Sequence, residues 1–305
     1  MRFAKYLLVF LLLASLGASA QRWKRYKYRY ELSCALGATD FLGDLGGANR
    51  IGSHGIPSVR DLDYVLTRPV IAGGCRFLTS YYTSAKVNLS YGILRGDDKE
   101  TMERFRHNRN LNFKSPVLEI SGQFEVNYSF ERGGHRYHIK RVKGRKNADN
   151  RIYAFAGVGA FYFNPKGRYV NGAWYALRPF HTEGEGLVPG HNNYNRISIC
   201  FPIGIGGKYS LDRNWSIGME FGLRYTLTDY IDDVSTVYET SAVTTALNNP
   251  IATYFANPTV NELGSYVTAD GQQRGDPTHK DSYMFITFSV NYKVFRAGYR
   301  PKAKF

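Results

Sequence analysis

The chain has 305 residues and few groups with the types and spacing that chemistry needs. His54, His107, His135, His138, His181, His191 and His279 all fall between the strand-like segments described below, and none has Ser and Asp partners at an evident nucleophilic spacing. His135 and His138 stand three residues apart, as metal ligands can, but no further ligand cluster accompanies them. They read as solvated loop histidines. Asp229, Asp232 and Asp233 in "TDYIDDVS" could offer oxygens to calcium, yet a complete oxygen-ligand loop is missing. The favoured expectation for them is a solvated turn that caps a strand and pairs with nearby arginine. No glycine loop suited to phosphate appears. The residues therefore predict a protein that is not an enzyme, with no cofactor, metal or small-molecule substrate.

Charge is the more informative chemistry. The segment "FERGGHRYHIKRVKGRKNADN" (130–150) holds Arg132, Arg136, Lys140, Arg141, Lys143, Arg145 and Lys146. Arg22, Lys24, Arg25 and Lys27 follow the N-terminal apolar run, and Arg296, Arg300, Lys302 and Lys304 close the chain. These fifteen cations equal the formal net charge of +15. By contrast, residues 229–281 carry Asp229, Asp232, Asp233, Glu239, Glu262, Asp270 and Asp276. A cationic face of this size attracts anionic lipid headgroups or a protein with an acidic face. Nucleic acid suits the charge but is not met by an exported chain.

Export is read from the start, "MRFAKYLLVFLLLASLGASAQ". Arg2 and Lys5, an apolar run from Tyr6 to Leu16, and Ala18-Ser19-Ala20 form the three parts of a signal peptide cut after Ala20. Residues 1–20 are thus expected to be removed, leaving 21–305 as one domain. Cys34, Cys75 and Cys200 each lie in a strand-like segment and read as packing residues, with a Cys34–Cys75 bridge left open.

Eight segments alternate between apolar and polar positions, the signature of strands whose side chains point to opposite faces. In "WSIGMEFGLRYTL", Trp215, Ile217, Met219, Phe221, Leu223, Tyr225 and Leu227 share one face, while Glu220 and Arg224 lie on the other among small residues. The remaining segments are 26–38, 70–78, 84–93, 117–128, 152–163, 196–209 and 282–294. Of these, 152–163 is apolar on both faces, which leaves its facing open. Most reach the roughly 9–11 residues that a tilted strand needs to cross a bilayer. Tyr128, Tyr209, Trp215 and Tyr292 lie on apolar faces at one common strand end, where an interfacial girdle belongs.

The prediction is an all-β fold: an eight-stranded antiparallel up-and-down transmembrane β-barrel of the outer membrane, with long extracellular loops. Its lumen would hold Arg29, Glu31, Arg76, Lys86, Glu119, Glu125, Arg196, Lys208, Glu220, Arg224 and Lys293. An interior this narrow is filled by side chains, so the mixed charges should pair and plug it rather than line a pore. Short turns at 79–83 and 211–214 mark the periplasmic side, which also receives both termini and the basic turn. Residues 39–69, 95–115, 164–194 and 229–281 become the outer loops.

"ELSCALGATDFLGDLGG" (31–47), "RNLNFKSPVLEISGQFE" (109–125), "AFAGVGAFYFNPKG" (154–167), "WYALRPFHTEGEGL" (174–187), the run 196–235 and "DSYMFITFSVNYKVF" (281–295) carry a resemblance. Together they resemble PorG-type outer-membrane barrels of the type IX secretion system of Bacteroidetes. The resemblance spans most of the mature chain and implies an accessory, non-enzymatic barrel associated with the periplasmic ring of PorK- and PorN-type proteins. Its partners would be that ring and outer-membrane lipid. It offers no catalytic residues to carry over. A docking face of Arg132, Arg136, Lys140, Arg141, Lys143, Arg145, Lys146, Arg300 and Lys302 is then expected on the periplasmic side. The alternatives are a structural or adhesive barrel acting through its outer loops, and a small channel.

Overall fold

A strand with one apolar face must bury that face or give it to lipid, and closing the sheet on itself removes the unpaired edges that lipid could not satisfy. The computed structural model describes residues 28–45, 66–80, 82–101, 103–131, 149–212 and 214–295. Its main strands are β1 (Tyr28–Leu42), β2 (Arg68–Leu78), β3 (Thr83–Asp97), β4 (Asn112–Glu131) and β5 (Asp149–Phe163). A short hairpin of β6 (Lys166–Arg168) and β7 (Trp174–Ala176) follows, then β8 (Ile197–Ser210), β9 (Trp215–Thr226) and β10 (Ser282–Phe295). Each of the eight long strands pairs antiparallel with its neighbour in the order β1-β2-β3-β4-β5-β8-β9-β10, and β10 returns to β1. The sheet is a closed, up-and-down, eight-stranded barrel. No helix among the described residues is long and apolar enough to cross a membrane.

The outer surface follows from the period-two pattern. Val87, Leu89, Ile120, Phe124, Val126, Ile203, Ile205, Ile217, Val290 and Phe288 all face outward and are exposed. The band between the strand ends is therefore apolar all round, as lipid requires. At the end bearing the short turns, Tyr128, Tyr209, Trp215 and Tyr292 are exposed, with the Trp215 and Tyr292 rings 4.9 Å apart. A second girdle, not anticipated from the sequence, lies at the other end, where Tyr91 and Tyr162 flank Leu118 and Tyr225 pairs with Phe201. Ten residues of β4 separate Tyr128 from Leu118. At about 3.4 Å per residue and about 40° of tilt, that is about 25 Å, the height of an outer-membrane apolar band.

The interior differs from a uniformly polar lumen. Its inner half is charged, but its outer half is a dry core. Val70, Leu94, Phe113, Val117, Phe161, Phe163, Cys200, Tyr283 and Phe285 point inward and are buried with Phe41, Leu45, Ile231 and Val234. The phase of β5 is thereby settled: Tyr153, Phe155, Phe161 and Phe163 face in, and Ile152, Val158 and Tyr162 face out. Glycine makes room for two of these rings. A Cβ at Gly206 would overlap the Tyr153 ring, and one at Gly204 or Gly222 the Phe155 ring. The β5–β8 ladder is interrupted between Ala156↔Ile203 and Gly159↔Cys200, where Pro202 has no N–H to give.

Above the core the loops fold into a cap rather than trailing into solvent. It contains α1 (Arg104–Arg109), α2 (Thr240–Leu247) and α3 (Pro250–Ala256), together with the β6–β7 hairpin. Glu103 caps α1 by accepting from the N–H groups of Phe105 and Arg106. Phe255 packs against Tyr169, Tyr175 and Phe180, which joins the hairpin to α3. Val87 lies opposite Gly122, near the middle of the apolar band. Val87→Arg should therefore lower barrel stability by about 2–4 kcal/mol in lipid vesicles. Val260→Arg, on the exposed cap surface, should stay within about 0.5 kcal/mol. Urea unfolding of the two variants measures the contrast, and equal effects would contradict the lipid-facing band.

Candidate functional site

The charged half of the lumen is organised around Arg76. Cross-strand neighbours set out a row Lys293–Glu31–Arg76–Lys86–Gln123 over β10, β1, β2, β3 and β4. Arg76 reaches Glu125 through Nε at 2.6 Å and Glu31 and Glu220 through its two Nη atoms at 3.3 Å each. Lys208 crosses from β8 to Glu31 at 2.5 Å, and Lys86 meets both oxygens of Glu220 at 2.7 and 2.8 Å. The Tyr153 hydroxyl donates to Glu220 at 2.6 Å, and Ser84 donates to Glu125 at 2.6 Å. Nearer the core, Glu119 receives Arg224 at 3.3 Å and the Tyr283 hydroxyl at 3.0 Å. The Arg224 guanidinium also lies over the Phe285 ring.

Of the expected lumen charges, the structure brings Glu31, Arg76, Lys86, Glu119, Glu125, Lys208, Glu220 and Arg224 into these two clusters. Lys293 is also inside and donates to Ser210 at 2.6 Å. Arg29 has the inward phase but is exposed near the start of β1. Arg196 is not in the lumen: it precedes β8 and lies over the outward-facing Tyr162 ring. Strand phase alone could not place residues just beyond a strand end.

The acidic segment departs most from expectation. Asp229, Asp232 and Asp233 are not a solvated turn; all three are buried where the cap meets the barrel core. Asp229 accepts from the Ser235 hydroxyl. Asp232 accepts from the N–H groups of Leu45 and Val234, and Asp281 from that of Ile231. Asp44 accepts from the N–H of Asp276. Asp233 adopts a left-handed conformation (φ 67°), held by the hydroxyls of Thr182 and Tyr194 and by Arg274 on its carbonyl. Glu183 joins the turn from the other loop, accepting from the N–H groups of Ser235 and Thr236 and from Arg274 at 2.9 Å. Arg109 completes the frame by binding both Asp98 oxygens and the carbonyls of Asp44 and Arg274.

Burial pushes the pKa of Asp44, Asp229, Asp232, Asp233 and Asp281 up, which makes them weaker acids. Asp229 rises to about 7, with Asp44 and Glu183 adding to the effect and Ser235 and Lys280 opposing it. Asp232 is raised by burial and then by Asp44 and Asp229, and Asp281 by burial and then by Asp232, Asp229 and Asp44. The groups accept from backbone N–H groups (Asp44, Asp232, Asp281) or hydroxyls (Asp229, Asp233) and so tie the connections together. Among the described residues no group of three or more His, Cys, Asp or Glu could hold a metal ion. Nor, among the described residues, do the histidines add a site. His191 contacts the Glu183 carbonyl at 2.8 Å and, like His107 and His181, is half-buried rather than fully solvated. His54, His135 and His138 lie outside the described residues. Cys34, Cys75 and Cys200 are free thiols.

Arg132, Arg136, Lys140, Arg141, Lys143, Arg145, Lys146, Arg300 and Lys302 also lie outside the described residues, as do residues 1–20, expected to be a signal peptide. The strand ends from which their segments leave are described. Tyr28 pairs with Phe295, and Glu131 pairs with Asp149, at the same end of the barrel as the 79–82 and 211–214 turns. The cap occupies the opposite end.

No family model matches the chain, and no curated protein matches it. Among solved structures it is similar to Ail, the attachment invasion locus protein of Yersinia pestis, with 9% identity and a TM-score of 0.35, over 87% of this chain and 99% of that one. It is also similar to Neisserial surface protein A, with 9% identity and a TM-score of 0.36, over 87% and 96%.

Removing Arg76 leaves buried carboxylates without their shared cation. Arg76→Met should cost about 3–5 kcal/mol, with part regained when Glu125→Gln is added, as a double-mutant cycle by urea unfolding would register. Independent costs for the two changes would show that the pair is not coupled. The cap should respond to pH. A carboxyl whose folded pKa is raised keeps its proton longer in the folded state, so stability falls as pH rises from the ordinary aspartate range near 4 through about 7. Hydrogen-exchange protection at residues 231–236, corrected for intrinsic rates, should be lower at pH 8 than at pH 5. Asp229→Asn should flatten that difference; identical protection at both pH values would refute it.

Proposed function

We propose that this barrel is a non-enzymatic component of type IX protein secretion that holds a periplasmic ring of PorK- and PorN-type proteins at the outer membrane. The observation that carries the reading is the segregation of charge. Three cationic segments leave the barrel at the end opposite an acid-rich cap. A membrane-fixed barrel confines such a face to two dimensions and one orientation. A partner with an acidic surface then meets it at high local concentration, steered by the field of the whole cationic end. The lumen serves this role as a rigid plug: its ion pairs and apolar core stiffen the barrel and need no substrate. The resemblance of segments such as 196–235 to PorG-type barrels supplies the identity of the ring, and charge alone does not.

A second reading is favoured by one specific observation, the folded cap. A barrel acting at the cell surface as a structural or adhesive protein would use that cap, with its exposed Tyr266, Val260 and Phe105.

The two readings separate experimentally. Replacing Arg141, Lys143, Arg145 and Lys146 with Glu reverses half of the central basic turn without touching the barrel. Under the docking reading, ring proteins should no longer co-purify in detergent, falling at least tenfold, while the barrel remains folded by heat-modifiable gel mobility. Unchanged co-purification, together with lost function on trimming 236–275, would transfer the role to the cap.

A further inference from the structure

Beyond the second aromatic girdle, the barrel's outer surface carries a row of cations that neither the ion-pair network nor the cap absorbs. Arg95 on β3 lies directly opposite Lys114 on β4, and Lys114 lies opposite Lys166 on β6. Arg168, two residues on, pairs with Trp174 of β7. All four share the outward phase of their strands: Arg95 continues Tyr91 and Ile93, and Lys114 continues Leu118 and Pro116. Like charges placed opposite each other across a sheet repel and lower its stability. Within the row the balancing charge is small. Asp97 sits 3.4 Å from Arg95 and also accepts from the N–H of Lys99, while Lys114 rests over the Trp174 ring at 5.5 Å. No ion pair within the described residues involves Lys114, Lys166 or Arg168.

Depth indicates what could neutralise such a row. Lys114 is four residues beyond Leu118 on β4, which places its backbone about 10 Å above the girdle of Tyr91 and Tyr162. That is the outer edge of the headgroup layer, which is about 5–8 Å deep. Lys166 shares the level of Lys114 and Arg168 stands two residues higher, and lysine and arginine stems can lean back into the layer. Trp174 has the amphipathic ring favoured at the same level. A dissolved anion would meet these cations one at a time, whereas lipid headgroups present phosphates side by side in a plane matching a row that runs around the barrel. We propose that Arg95, Lys114, Lys166 and Arg168 form a binding surface for the phosphate groups of anionic lipid in the leaflet on the cap side. This surface is separate from the basic segments at the opposite end and does not depend on the docking reading.

The test uses the full mature chain, folded in mixed micelles and titrated with a bis-phosphorylated lipid A, with bound lipid counted by native mass spectrometry. Phosphatidylcholine serves as the neutral lipid. Lys114→Gln should weaken lipid A binding about fivefold, the effect of one interfacial cation. The triple variant Lys114→Gln, Lys166→Gln, Arg168→Gln should weaken it well over tenfold. Phosphatidylcholine retention and gel mobility should not change, and Lys280→Gln on the cap should behave as wild type. Equal lipid A retention in wild type and the triple variant would overturn the proposal, as would an equal loss with Lys280→Gln. Displacement of lipid A by millimolar inorganic phosphate would assign the row to a free anion instead. Should the triple variant misfold, the single Lys114→Gln and Lys166→Gln variants carry the same comparison.

Discussion

A guanidinium inside a barrel cannot borrow water for its charge, so its partners must be built into the walls. Arg76 shows how the constraint shapes the fold. It takes one carboxylate from its neighbouring strand (Glu31), one from β4 (Glu125) and one from across the lumen (Glu220). Each of these is shared with a second group, Lys208, Ser84 or Lys86. Such a network is stable only when complete, because removing a member leaves a desolvated charge. It therefore fixes the barrel's cross-section: β8 and β9 must stand at the distances where Lys208 and Glu220 meet partners on the far wall. Register is fixed by the same contacts, since a one-residue slip of β2 would turn Arg76 to lipid.

The outer half of the lumen solves the same problem by avoiding charge. Phe113, Phe161, Phe163, Tyr283 and Phe285 fill it with rings. The extended ends of β1, β3 and β4 rise past the membrane and offer this core an open top, which Leu45, Ile231 and Val234 close. The cap is thus continuous with the barrel core. Its buried aspartates stand at the joint because the turns that enter the core leave backbone N–H groups facing inward, and Asp232 and Asp281 are the acceptors that satisfy them. Stability of the cap and order of the outer lumen are one property.

Much of this architecture was legible in the sequence, because alternation with a period of two survives in any strand that has lipid on one side. The eight strands, their antiparallel closure and the outward apolar face are read from that pattern. Where both faces are apolar the pattern carries no phase. Residues 152–163 were undecidable for that reason, since Phe161 and Phe163 feed an interior core while Val158 and Tyr162 face lipid. The aspartates at 229–233 were misread for a related reason. Aspartates just after a strand look solvated, and the donors that make their burial possible include groups distant in sequence, the N–H of Leu45 and the hydroxyls of Thr182 and Tyr194. That the lumen charges pair is expected from their mixed signs, but which partners meet is not legible: the sequence puts Arg76 and Glu220 144 positions apart.

Lysine shows how depth sorts one residue type into three roles. Lys208, next to the Tyr209 girdle, turns into the barrel with its ammonium on Glu31, because the opposite strand phase there would face it outward toward the membrane. Lys114, at the headgroup level, points outward and lies over an aromatic ring, since that layer accepts a cation on the barrel's exterior. Lys140, Lys143 and Lys146 belong to the connection between β4 and β5, whose described ends lie at the other end of the barrel. Of Lys208 and Lys114, only the first meets a compensating carboxylate of the fold; the second has no ion pair within the described residues and, on the proposal above, is left for lipid phosphate. A barrel that pairs its interior charges while an outward row of cations stands beneath its acid-rich cap separates two tasks: the lumen is the rigid axis, and the outer surface meets the surroundings.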